Sequence, residues 1–167
     1  MSALARYFHH HGYTVSGYDR TPSALTQELE AEGIAITYTD DPKTITNNQS
    51  PITNPTNTLV VRTPAVPEDS AIYTYLREQG FDIRKRAEVL GLVTKQMKAL
   101  CVAGTHGKTT TSTMLAHLLY QSHLGTNAFL GGISMNYNTN LLLNKDSEFV
   151  VVEADEYDRS FHHLTPY

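Results

Sequence analysis

Hydrophobic positions along the chain fall into short runs separated by stretches in which apolar residues recur every three or four positions. The first helical stretch, "MSALARYFHHHG", closes on Gly12, a residue suited to a left-handed C-cap. A short strand, "YTVSGYD", follows it. Next, "TPSALTQELEAEG" offers Thr21 as N-cap, Pro22 at the first helical position, Leu25 and Leu29 on one face, and Gly33 as stop. A strand "IAITY", a polar stretch from Asp40 to Thr58 and a strand "TLVVRT" lead to "PEDSAIYTYLREQG", a helix with acids in its first turn and Gly80 at its end. "FDIRKRAEVLGLVTK" predicts one more strand and helix before a boundary near Gln96.

A second unit then opens at "KALCVAG". It reads as a strand, a loop, the helix "KTTTSTMLAHLLYQSH", a strand "TNAFLGG", a polar stretch and the strand "EFVVVEAD". In the helix, Met114, Leu115, Leu118 and Leu119 recur at helical spacing and predict the face packed on a sheet. Strands alternating with helices of this length predict parallel, doubly wound α/β sheets. The expected organisation is a Rossmann-like domain over 1–95 and a P-loop ATPase-type α/β domain over 96–167.

Composition changes this picture little. The 13 basic and 17 acidic residues leave a formal charge of -4 with the cations scattered, which argues against a nucleic-acid surface and for small-molecule and metal partners. The single cysteine, Cys101, lies in an apolar run with nothing nearby to activate a thiolate; this fits a buried thiol in a reducing, cytoplasmic setting. No apolar run approaches the length of a membrane span, and the opening residues lack a signal peptide's apolar core.

Chemistry concentrates in "CVAGTHGKTTT". The general phosphate-loop pattern places a glycine where this chain has Val102, and the earlier glycine is Gly104. Gly104 and Gly107 nevertheless allow backbone N–H groups to turn toward an anion, and the helix that follows adds its positive N-terminal end. Lys108 can reach the outer phosphates, and the Thr109 hydroxyl can ligate Mg²⁺. A plain glycine turn with a solvated lysine is the competing reading, and His106 can point beside the phosphates or into solvent. An ATPase loop also needs an acid at the end of a neighbouring strand. "EFVVVEADEYD" offers Glu153, Asp155, Glu156 and Asp158 at the C-terminal end of a buried strand, where a cation would relieve their repulsion; a solvated acidic turn is the alternative.

"AGTHGKTTT" together with "VVEADEYDRSFHHLTP" resembles the Mur ligases, ATP-dependent amide-forming enzymes of peptidoglycan precursor synthesis. "MSALARYFHHHGYTVSGYD", "VVRTPAVPED" and "RKRAEVLG" extend the resemblance over essentially the whole chain. It implies that ATP phosphorylates the carboxylate of UDP-N-acetylmuramate and that an amine, here L-alanine, displaces the phosphate. It assigns Gly104, Thr105, His106, Gly107, Lys108, Thr109 and Thr110 to ATP, Lys108 to the transferring phosphoryl group, and Thr109 with Glu153 to Mg²⁺. Ser2, Asp19 and Thr63 are implied to face the UDP-sugar; for Asp19 a turn-forming role is the alternative. Measured against the family pattern, the chain is expected to be a fragment. It would lack the first strand with its glycine-rich loop, end inside the ATP domain, and have little ligase activity alone. A tripeptide-recycling ligase, and a nucleotide-binding module or remnant that joins no substrates, are the rival readings.

Overall fold

The computed structural model describes residues 1–47, 51–154 and 160–167. The chain divides into two compact units, Met1–Arg86 and Ala87–Tyr167.

The first unit contains α1 (Ser2–His10), β1 (Ser16–Tyr18), α2 (Ala24–Ala31), β2 (Ala35–Thr37), α3 (Pro42–Thr46), β3 (Leu59–Arg62), α4 (Ala71–Glu78) and β4 (Asp82–Lys85). Gly12, Gly33 and Gly80 take positive φ just past α1, α2 and α4, at the stops the sequence marks. The start of α2 differs from expectation. Ser23, not Thr21, is the N-cap, because Ser23 and Thr26 form a reciprocal capping box in which each side chain accepts the other's backbone N–H. In α4 the acids Glu68 and Asp69 precede the helix, so its first turn holds none. The anionic cap comes from elsewhere in the chain. Asp40 accepts from the Ser70 hydroxyl (2.9 Å), the Ile72 N–H (2.9 Å) and the Ala71 N–H (3.0 Å).

The strands of this unit are parallel, but they form two separate pairs, β1 with β2 and β3 with β4. Ile45, Ile72, Leu76 and Phe81 make a buried cluster, with Tyr18 and Val60 packed against it. Arg6 on α1, only 8% exposed, donates to Glu28 and Glu32 of α2 and ties the two helices together. Those two acceptors, above all Glu32, hold the guanidinium above its ordinary pKa despite burial.

The second unit contains α5 (Arg86–Thr94, from its second residue on), β5 (Lys98–Val102), α6 (Lys108–Gln121), β6 (Asn127–Ser134), β7 (Thr139–Leu142) and β8 (Phe149–Glu153). Its sheet is continuous, in the order β5-β8-β6-β7. β8 pairs in parallel with both β5 and β6, and its Val150, Val151 and Val152 are completely buried, as a continuous apolar run in the middle of a parallel sheet requires. β7 is an antiparallel edge strand inside the segment expected to be a polar stretch. Its Asn140, Leu141 and Leu142 are buried all the same.

Helix α6 also departs from expectation. Leu115 and Leu119 pack against the core around Ala116, whereas Met114 and Leu118 are 61% and 67% exposed. The buried stripe runs through Ser112 and Ala116 instead. These small residues let the helix lie close to the sheet. Gly91 of α5 meets the backbone of His163, so the short 3₁₀ turn Ser160–His163 closes directly over that helix.

Candidate functional site

In the second unit, the register Val102↔Glu153 brings the end of β5 beside the end of β8, and the Ala154 N–H bonds the Val102 carbonyl. The loop therefore leaves its strand next to a carboxylate 51 residues later. Gly107 is the N-cap of α6 at φ 77°, a left-handed conformation that a side chain would strain. It makes no side-chain cap bond, so no cap side chain occupies the first-turn N–H groups of α6, the arrangement that favours an anion. The Lys108 ammonium donates to the Gly104 carbonyl at 2.8 Å and so lies across the loop. Thr105, His106, Gly107, Thr109 and Thr110 are exposed, and Gly104 and Lys108 are half-buried.

Glu153 is the centre of this site. Its Oε2 accepts from the Thr109 hydroxyl at 3.2 Å, while Oε1 accepts from the Ser112 hydroxyl at 2.9 Å and the Gly131 N–H at 2.8 Å. The donor set suits a hard cation. Neighbouring oxygens on an octahedral Mg²⁺ lie about 2.9 Å apart, close to the separation of Thr109 Oγ1 and Glu153 Oε2. Asp155, Glu156 and Asp158, expected to join Glu153, lie outside the described residues. Among the described residues no group of three His, Cys, Asp or Glu side chains that could hold a metal occurs, and the described groups facing each other at this site are one hydroxyl, Thr109, and one carboxylate, Glu153. Mg²⁺ commonly keeps such a small protein ligand set and fills its shell with water and phosphate.

Burial pushes the Cys101 thiol up, away from the thiolate a nucleophile needs.

In the first unit, Ser2, Asp19 and Thr63 all line one cleft of about 1310 Å³. Ser2 is buried at the start of α1, Asp19 follows β1 and Thr63 follows β3. Residues of β1 and β3 line the same cleft, together with Leu4 and Phe8 of α1. Asp19 also accepts the Thr21 N–H at 3.2 Å, so the turn-forming role is real and coexists with its place on the cleft wall.

Ser112, Gly131 and Asp40 were not singled out from sequence. Ser112 lies one helical turn after Thr109, a spacing that puts both on one face. Gly131-Gly132 inside a strand was a readable sign of close approach. Asp40 carried no signal, since its partners lie 30 to 32 residues away.

A parallel strand, a glycine turn, a helix N-terminus and an acid on the adjoining strand define a P-loop-type α/β protein. Sequence comparison specifies it further. The profile of the Mur ligase family catalytic domain matches residues 1–98, and that of the Mur ligase middle domain matches residues 102–165. The chain belongs to the Mur ligase family. It is 62% identical over its full length to a UDP-N-acetylmuramate–L-alanine ligase of Phocaeicola vulgatus and 59% identical to one of Porphyromonas gingivalis, and covers 36% of each. The chain thus spans about a third of the length of these relatives. Among solved structures, it superposes on a UDP-N-acetylmuramate:L-alanyl-γ-D-glutamyl-meso-diaminopimelate ligase from Neisseria meningitides with a TM-score of 0.87 at 28% identity, covering 99% of this chain and 54% of that one. A UDP-N-acetylmuramate-alanine ligase of Thermotoga maritima gives 0.83 at 28%, covering 99% and 37%.

Proposed function

We propose that this chain serves an ATP-dependent ligase that forms an amide between the carboxylate of UDP-N-acetylmuramate and L-alanine, in the cytoplasmic synthesis of peptidoglycan precursors. In this reading residues 1–95 receive the UDP-sugar and residues 96–167 hold Mg-ATP. The observation that carries it is the convergence of Lys108, Thr109 and Glu153 at the ends of two paired parallel strands.

Gly104 to Thr110 would wrap the phosphates with backbone N–H groups. Lys108 would leave the Gly104 carbonyl for the transferring phosphoryl group, exchanging a neutral acceptor for an anionic one. Thr109 and Glu153 would hold Mg²⁺, which when bound neutralises charge developing between the outer phosphates. The substrate carboxylate takes the γ-phosphoryl group from ATP and becomes an acyl phosphate. The amine then attacks the acyl carbon, and inorganic phosphate leaves. On the cleft wall of the first unit, Ser2, Asp19 and Thr63 would meet the UDP-sugar, with Asp19 placed like the acid that follows the first crossover of a Rossmann fold and binds ribose hydroxyls.

The tripeptide-joining reading draws on the 0.87 superposition, but identity is 28% in both structural comparisons, whereas relatives named for L-alanine reach 62%. Thermal-shift titration tests the nucleotide half. Mg-ATP should stabilise the chain more than Mg-GTP does, and Lys108→Ala should shrink the shift at a given nucleotide concentration; equal shifts in wild type and variant would remove Lys108 from its role. For the other half, UDP titration should report a Kd that weakens in Asp19→Ala. An unchanged Kd would leave Asp19 with its turn alone.

A further inference from the structure

The ladder between β6 and β8 ends at Phe129↔Val152. Beyond it, Gly131 spends its N–H on the Glu153 carboxylate instead of a strand carbonyl. A Cβ at Gly131 would stand 2.5 Å from Oε2 and 2.8 Å from the carboxyl carbon, so any side chain there displaces the group. On the other side, Ser112 is fully buried, and its hydroxyl lies 2.9 Å from Oε1 and 3.1 Å from the Thr109 carbonyl. It has one proton, and an ionised carboxylate is the stronger acceptor. Glu153 Oε1 is thereby taken by two donors held on rigid elements, and Oε2 is left facing Thr109.

We propose that Ser112 and Gly131 are positioning residues that fix Glu153 so that it presents a single oxygen, Oε2, to the cation of the nucleotide site. The proposal rests on the Mg-ATP reading above and adds to it two residues that touch neither metal nor nucleotide. Partners that orient a metal ligand in this way typically alter metal affinity roughly 10- to 100-fold when removed.

The test uses the full chain with Mn²⁺ as paramagnetic probe, titrated in the presence of ATP, beside ATP binding measured in EDTA. Ser112→Ala should weaken Mn²⁺ binding about 10-fold or more while metal-free ATP binding stays at the wild-type value. Ser112→Thr keeps the hydroxyl and should restore most of the affinity; Gly131→Ala should weaken Mn²⁺ as Ser112→Ala does. An unchanged Mn²⁺ affinity in Ser112→Ala overturns the proposal and leaves the nucleotide reading standing. If Ser112→Ala also loses metal-free ATP, the other two variants decide: Ser112→Thr at wild-type affinity with Gly131→Ala weakened supports positioning, and any other pairing overturns it. A wild-type chain that binds no Mn²⁺ with ATP fails the nucleotide reading itself.

Discussion

The two units are built from the same alternation of strand and helix, yet one sheet is continuous and the other is divided. In the second unit β8 has a hydrogen-bonded neighbour on each side, and three consecutive valines are fully buried. In the first unit β1 and β3 each have one neighbour, and residues of both line a cleft of about 1310 Å³. A strand gains stability from its ladder and from burial on both faces, and an open edge forfeits part of both. The site built on the continuous sheet is accordingly tightly specified, down to the two donors on one carboxylate oxygen. The candidate UDP-sugar site is a broad wall of residues around an open cleft.

Hydrogen exchange offers the largest test of this contrast. Amides of β8 should exchange only through global opening of their unit, whereas those of β1 and β3 should exchange by local opening, orders of magnitude faster. Similar protection in both would remove the energetic distinction between the sheets. A core substitution carries the same point into stability. Val151→Asp buries an uncompensated charge and should unfold the second unit, while Val61→Asp, on the half-buried cleft wall, should be tolerated far better by urea denaturation.

Ligand binding sharpens the comparison at the next level. Mg-ATP should slow exchange in β5, β8 and α6 and leave β1 and β3 unchanged. Lys108→Ala, which removes a charged donor usually worth about 1.5–3 kcal/mol, should weaken nucleotide binding by roughly 10- to 100-fold in calorimetry.

Within the divided unit, stability leans on side-chain ties between helices. Arg6→Ala removes a buried guanidinium from two half-exposed glutamates and should cost about 2 kcal/mol in urea denaturation, with loosening first at α1 and α2. A loss below a few tenths would show that the pair is ornamental.

The smallest effect concerns pH. Partial burial pushes the Asp40 carboxyl up, but the Ile72 N–H, the Ser70 hydroxyl and the Ala71 N–H together hold it below its ordinary value. A depressed folded pKa stabilises the fold above the unfolded pKa, and the contribution disappears as pH falls through the folded value. Asp40→Asn should therefore lower stability at neutral pH, and the gap from wild type should close in acid. A gap that persists in acid would assign the cap to hydrogen-bond geometry without charge.

Much of the local architecture was legible in sequence. The stops of α1, α2 and α4 were readable because a glycine at positive φ depends on little beyond the backbone at that point. β8 was readable as an unbroken apolar run between polar flanks. Errors arose where two local signals competed or where burial overrode both. Thr21-Pro22 and Ser23-Thr26 each offered a start for α2, and the reciprocal cap prevailed. Thr139 to Leu142 looked polar at its opening, but pairing with β6 buries Asn140 and the two leucines. On α6, four apolar residues span too wide an arc to face one sheet together, so Met114 and Leu118 were left outside.

For the site the division is similar. The loop residues Gly104 to Thr110, and the need for an acid on a neighbouring strand, follow from residue type and spacing, because phosphate chemistry restricts both. That Glu153 stands opposite Val102, that Ser112 and Gly131 grip it from 41 and 22 residues away, and that β1 and β3 do not pair with each other were decided in three dimensions. Backbone conformation and side-chain chemistry are carried by adjacent residues. Strand order and hydrogen-bond partners over such separations emerge only when burial and the sheet register select one arrangement among many that the local pattern permits.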